Sequence, residues 1–436
     1  MLVLKATLKK NNDYKLLYKW GKNNSLFISD KIAMNYTNEN NKYYYIKKNI
    51  NASEVIMKIP KKLLLGIEKG LKLSGSKTKK QYENFKKLLR PDNYESPDAL
   101  KYRQDQAFLA YLMYNADQNK SKKNKLYNFY KYYFNTFETD MERYPIFYNS
   151  EQVRFLIFSL FGNELIQTKK LFDDEFSIFE KEIYKKPMDS DEYYKYRLFS
   201  FNKIVNISGI ISIVPFLDLF QQNPVNYNLN INFTENSVDI VANKDLTVKD
   251  NLTLAMVQMP NSNTLLSNGK VFEENKDLVE SFRIAIISPA FLKSKNLNIF
   301  LANNEMVDLS EKKYYEKVVD SYKEISKLVK EDGSKISALN LFLENMKCIR
   351  DEYDKVTYKD LNKHFFKFEY VNNVKSVLDT EKNYLDKKIK ELRRIINKLA
   401  GIKELERDLW FNCTKINLKI IIIYLINKDN RFKYKN

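Results

Sequence analysis

The sequence predicts an α+β protein: a strand-bearing lobe, split by a long helical insertion, followed by an all-helical C-terminal domain. Three observations predict it. Before Asn275, apolar and polar residues alternate at Val55, Met57 and Ile59, a period of two that marks a half-buried strand, and short strands are expected again in Ile211–Phe216, Leu229–Phe233, Val238–Ala242 and Leu252–Val257. From about Tyr82 to Leu198 the apolar and aromatic residues instead recur at helical spacing, as they do on the buried face of packed helices. Beyond Asn275 they form long helical stripes.

A short helix is expected around Tyr14–Trp20. The first strand run stops at Pro60, which has no N–H to donate to a ladder. In the last third, Tyr315, Val318, Val319, Tyr322, Ile325 and Val329 share one helix face, ending before Gly333. Leu339, Phe342, Leu343, Met346 and Ile349 form a second stripe, and Val374, Val377, Leu378, Leu385, Ile389, Leu392, Ile396 and Leu399 a third, stopped by Gly401. The expected divisions are 14–82 (N-terminal β lobe), 83–198 (helical insertion), 199–274 (returning β segment), 275–402 (helical domain) and a tail, 403–436, without a structural reading.

Composition narrows the function. Two cysteines, Cys348 and Cys413, supply neither a disulfide framework nor a cysteine zinc site, and suit a reducing intracellular compartment, cytoplasm or nucleus. His364 is the only histidine, so imidazole relays and His-rich metal centres are excluded and no metal site is expected. The longest apolar run, Ile420–Ile426, is far short of the roughly 20 residues a spanning helix needs. The N-terminal MLVLKATLKKNNDYKLL is acid-free up to Asp13, like a targeting peptide, but lacks arginine and a long apolar core. A formal charge of +19 suggests a polyanion partner, yet only 11 of the 74 basic residues are arginine and they are spread along the chain. With Asn, Ile and Tyr abundant, the skew is that of an A/T-rich coding sequence, and nucleic acid is not the expected partner.

Several segments carry a family resemblance. IVPFLDLFQQN (213–223) is similar to an I-V-P-x-x-D-x-x-N-H-S/T segment; Ile50, Glu54, Ile59, Pro60, Lys61, Leu63 and Leu64 match an opening that ends in I-P-K-x-L-L; and Glu381-Lys382 matches an R-x-x-E-K-x-I-L signature. Together they resemble SET-domain protein methyltransferases of the Rubisco large-subunit methyltransferase type. That resemblance implies a SET-type β lobe with a helical insertion, a helical substrate-binding domain, the cofactor S-adenosylmethionine (AdoMet), and a lysine or histidine side chain of a protein as the methyl acceptor.

The same resemblance places the site residues. The family's G-x-G falls on Asn41, Lys42 and Tyr43, putting a side chain where the cofactor needs bare backbone. Arg197 stands where the family pairs an arginine with the AdoMet carboxylate, and Phe199 at the Phe of the same element. Asp218 is retained, and Gln221 and Gln222 replace the Asn and His that hold AdoMet. Glu68 follows the opening segment as in a subset of relatives. Counting back from Asn261, the catalytic Tyr falls on Met256 and the adjoining Gly on Val257, so no catalytic residue is intact. Asp245 and Leu246 sit in a turn with Lys249 at a glycine position, which requires a reshaped turn. The expectation is a SET-domain pseudoenzyme: a catalytically impaired protein whose former substrate groove binds a protein or peptide. The alternatives are an active AdoMet-dependent protein-lysine methyltransferase with a drifted site, and a basic scaffold in a nucleoprotein assembly.

Overall fold

A computed structural model describes residues 2–35, 43–90, 96–137, 141–207, 209–255, 259–275, 283–285, 306–319, 335–365 and 367–400. Asn41, Lys42, Met256, Val257, the stripe residues Tyr322, Ile325 and Val329, Gly333, Gly401, Cys413, the Ile420–Ile426 run and the whole tail 403–436 lie outside the described residues. The chain divides into two compact units, the first of residues 1–147, 167–258 and 266–274, the second of residues 148–166, 259–265 and 275–436.

The first unit opens on helix α1 (Leu2–Asn23), which buries Tyr14, Leu17 and Trp20 and runs well beyond the Tyr14–Trp20 turn expected from sequence. Strands β1 (Phe27–Ile28), β2 (Ile32–Asn35), β3 (Tyr43–Ile46), β4 (Val55–Pro60) and β5 (Leu65–Gly66) follow. After the insertion come β6 (Ile204–Ile207), β7 (Ile210–Ile213), β8 (Gln221–Asn223), β9 (Leu229–Phe233), β10 (Ser237–Ala242) and β11 (Thr253–Ala255). The largest sheet has the order β1-β4-β10-β9-β11-β8. Its middle is an antiparallel hairpin, with Val238 opposite Phe233 and Ala242 opposite Leu229. Val238 and Ile240 are buried while Asp239 meets Lys58 across the neighbouring strand at 3.8 Å. The far edge is parallel: Gln221, Gln222 and Asn223 register with Thr253, Leu254 and Ala255. Ile213 pairs with Leu65 and Ile204, and the contact with 253–255 falls to the next segment, Gln221–Asn223. The cause is the turn at 214–220, which reverses the chain through Phe216 in the left-handed region (φ 73°).

Between β5 and β6 lie α2 (Ile67–Ser74), α3 (Ser76–Leu88), α4 (Pro97–Gln118), α5 (Lys125–Phe134), α6 (Ser150–Leu156), α7 (Leu160–Ile178) and α8 (Ser190–Asn202). Helix α4 starts at a Ser96 cap whose hydroxyl accepts Ala99 N–H, with proline at its first position, where a missing N–H costs nothing. It is buried on nearly every face from Arg103 to Tyr114, so it forms the centre of the insertion rather than a surface layer. Phe85 of α3, Tyr111 of α4 and Phe179, which opens a π-helical turn (Phe179–Tyr184), stack with centroids 4.3 and 4.7 Å apart.

The second unit is built chiefly of the helices Lys335–Asp354, Tyr358–His364 and Phe368–Leu399. Residues 314–319 are also helical. It is not all-helical as expected: Arg283–Ala285 and Met306–Asp308 form a short antiparallel pair, Ile284 opposite Val307. Three-residue strands with one apolar centre leave too short a period to read from sequence. Glu381 of the E-K pair is buried, accepting hydrogen bonds from Phe161 N–H and the Tyr353 hydroxyl, both at 2.8 Å.

Candidate functional site

Three segments of the first unit converge. Tyr44 on β3 packs on Phe220, ring centroids 4.7 Å apart, bringing the 43–46 strand against the 217–223 turn. Tyr45 bridges to Asn251, just ahead of β11. Strand β11 in turn pairs with β8. The backbone thus brings the segments that carry Tyr43, Asp218, Gln221 and Gln222 together.

Their side chains differ in surroundings. Tyr43, half-buried, has its hydroxyl accepting from Asn35 Nδ2 at 3.2 Å across the β2–β3 pair. Gln221 is exposed and Gln222 half-buried; as neighbours on a strand they point to opposite sheet faces. Asn223, next along, is tied down: its amide donates to Glu274 Oε1 at 2.8 Å and its oxygen accepts Val225 and Asn226 N–H. The Asn223 contact holds the Glu274 carboxyl below its usual value. Asp218 is half-buried against the Tyr133 hydroxyl, whose pKa burial, and then the Asp218 charge, push well above 10. This is a support under the turn, reinforced by Tyr14 donating to Thr136 O at 3.0 Å and Tyr130 to Leu64 O at 2.7 Å.

Arg197 has its own set of partners. Its Nε lies 2.6 Å from Glu175 Oε2 and its second guanidinium nitrogen 3.2 Å from Oε1, with Gln106 at 3.5 Å and the Phe172 ring 4.6 Å beneath. Burial opposes its charge, but Glu175 outweighs that and raises its pKa further. Phe199, two residues on and therefore roughly 200° round the helix, stacks on Phe137 at 3.6 Å and touches Tyr133, the partner of Asp218. Of this pair, Phe199 faces the converging segments and Arg197 faces α4 and α7. Glu68, in the first turn of α2, is exposed.

Nearby details follow from local chemistry. Lys249 takes no positive φ; Asp250 instead accepts Thr247 N–H and hydroxyl at 2.7 and 2.8 Å, closing the turn without glycine. Asp245 accepts Ala52 N–H at 2.7 Å, and Leu246 exchanges hydrogen bonds with Ile50. In the second unit, Asn261 is buried at the head of α9 (Asn261–Asn268) with Thr264 donating to its oxygen at 3.3 Å. Among the described residues no cluster of His, Cys, Asp or Glu is arranged to hold a metal ion. No described helix is long and apolar enough to cross a membrane.

The fold defined by these elements is SET-like, an α+β lobe with a C-terminal helical region. Solved structures share it: the SET domain of LSMT bound to lysine and AdoHcy superimposes with a TM-score of 0.61 at 12% identity, over 93% of this chain and 97% of that one. Rubisco LSMT bound to sinefungin and monomethyllysine gives 0.60 at 13%, over 94% and 99%, and Rubisco LSMT bound to AdoMet 0.56 at 14%, over the same shares. No family model and no curated protein matches the sequence.

Proposed function

We propose that this chain is a SET-fold pseudoenzyme, a protein-binding module that no longer transfers methyl groups. The observation that carries the proposal is the closed ion pair of Arg197 and Glu175. A carboxylate ligand such as the amino-acid end of AdoMet needs an uncommitted, reachable cation. The arginine at the family's position has its charge neutralised bidentately inside the helical insertion. Tyr43 adds bulk where a cofactor requires close backbone approach. Gln221 carries its amide on a longer stem than the asparagine it replaces, which moves the amide by more than a preorganised site tolerates, and Gln222 stands in place of the histidine. These residues do not fit AdoMet.

A protein partner is supported by the edge of the large sheet. Among the described residues strand β8 ends the sheet, and an edge strand offers backbone groups to an extended peptide. Beside it Tyr45, Val225 and Tyr227 are exposed around the Asn228–Asn251 hydrogen bond of 2.6 Å. Apolar side chains flanking an open edge suit a peptide whose alternate residues are aromatic or aliphatic.

The test is incubation of the purified protein with methyl-labelled AdoMet and protein extracts. The proposal expects label neither in the extract nor in the protein itself. Incorporation that depends on intact protein would overturn it in favour of an active protein-lysine methyltransferase.

A further inference from the structure

Lys69, half-buried on α2, is an amine held against aromatic rings. Its Nζ stands over the Phe129 ring of α5 at 4.5 Å from the centroid and over the Tyr130 ring at 5.3 Å. Trp20 packs against both rings, with centroids 5.7 and 6.0 Å away. Nζ donates to the Lys62 carbonyl oxygen, a neutral acceptor, and among the described residues it forms no ion pair. The Tyr130 hydroxyl is committed to Leu64 O at 2.7 Å, and burial pushes its pKa well above 10, so it supplies no negative charge either. Burial pulls the pKa of Lys169 and Lys347 down as well, but Asp173 and Asp191 oppose it at the first and Glu344 and Asp351 at the second. No acid does so at Lys69.

We propose that Lys69 is a modification site, the amine of this chain that thioester acyl donors acylate first. An ammonium half out of water, facing rings and a carbonyl with no carboxylate to hold its charge, gives up its proton more readily than an exposed lysine does. The rings attract the charged form, an offset smaller than the loss of water. Burial lowers the Lys69 pKa from 10.5 to about 8. The free amine attacks the thioester carbonyl: an N–C bond forms, the C–S bond breaks, and the departing thiolate takes up the proton that the nitrogen loses. The product fits where the amine sat, because its amide keeps an N–H for Lys62 O and an amide costs less to bury than a charge. The proposal holds whether or not the chain transfers methyl groups.

The experiment treats the full chain at neutral pH with limiting S-acetyl-N-acetylcysteamine, a thioester without phosphates that the basic surface does not steer, and follows each lysine by peptide mass spectrometry. The free-amine fraction at Lys69 exceeds an ordinary lysine's by about 200-fold there, and nucleophilicity that falls with pKa leaves a rate advantage of about ten-fold. Lys69 should therefore acetylate faster than the exposed Lys61 and Lys72 by that margin, with a rate that levels off above about pH 8. Urea should abolish the preference. Phe129→Glu, which sets a carboxylate against the ammonium, should bring Lys69 down to the rate of the exposed pair. Acetylation of Lys69 no faster than that of Lys61 and Lys72 would overturn the proposal. So would a preference that survives in urea, a rate still rising past about pH 10 as an ordinary lysine's does, or undiminished reactivity in folded Phe129→Glu protein. The pH profile needs only the wild-type chain, so it decides the matter if that variant does not fold.

Discussion

Arg197 and Glu175 form a bidentate ion pair, Nε to Oε2 at 2.6 Å, with 1% and 0% of their side chains exposed. It joins α8 to α7, and Gln106 brings in α4, so a charge pair stands where three helices of the insertion meet.

Removing one member strands a buried charge. Arg197→Met or Glu175→Leu alone should therefore lower unfolding free energy by about 3–5 kcal/mol, while the double substitution should recover most of the loss, since apolar groups of similar volume replace a buried pair at little net change. Urea denaturation of the four proteins gives the coupling. A double variant no better than the sum of the singles would mean that the pair is not the unit that holds these helices.

Gly21 makes room for the strained turn. A Cβ there would lie 2.6 Å from Phe216 Cζ and 2.5 Å from Leu26 Cδ2, while the Phe216 ring stacks on Trp20 with centroids 6.0 Å apart. Alanine is the better helix former by about 1 kcal/mol, yet Gly21→Ala should destabilise by about 1–3 kcal/mol because overpacking wins. Thermal unfolding checks the sign; a stabilised Gly21→Ala protein would show that the Phe216 turn yields freely.

Burial raises the Glu381 carboxyl from 4.5 to about 8, offset in part by the Tyr353 hydroxyl and the Phe161 N–H. A raised acid binds its proton more tightly when folded, so its stabilisation is complete below the unfolded value of 4.5 and is lost as pH rises towards about 8. Wild-type stability should thus decline across that window, by an amount on the order of 2–4 kcal/mol from this residue. Glu381→Gln, neutral throughout, should be comparatively more stable at pH 8 than at pH 5. Denaturation midpoints of the two proteins at both pH values measure it; parallel pH profiles would contradict it.

Periodicity made much of the fold legible. Leu339–Ile349 and Val374–Leu399 have one wet face and one dry face, and they lie within the helices Lys335–Asp354 and Phe368–Leu399. Leu229–Phe233 and Val238–Ala242 form the central hairpin for the same reason. Long-range geometry was not legible. The position of Arg197 in a motif says nothing about which side of α8 it occupies, and its partner Glu175 sits on a separate helix that no spacing rule links to it. The Gln221–Thr253 register depends on a turn through Phe216 in a conformation that bulky residues rarely adopt, which no apolar periodicity signals.

The central claim, that this SET-like fold has lost its cofactor, is tested most directly by calorimetric titration of the purified chain with AdoMet. With Arg197 committed to Glu175 and Tyr43 occupying the backbone approach, the account predicts no heat beyond dilution. A saturable heat with micromolar affinity, abolished by Arg197→Met in protein that remains folded, would contradict it.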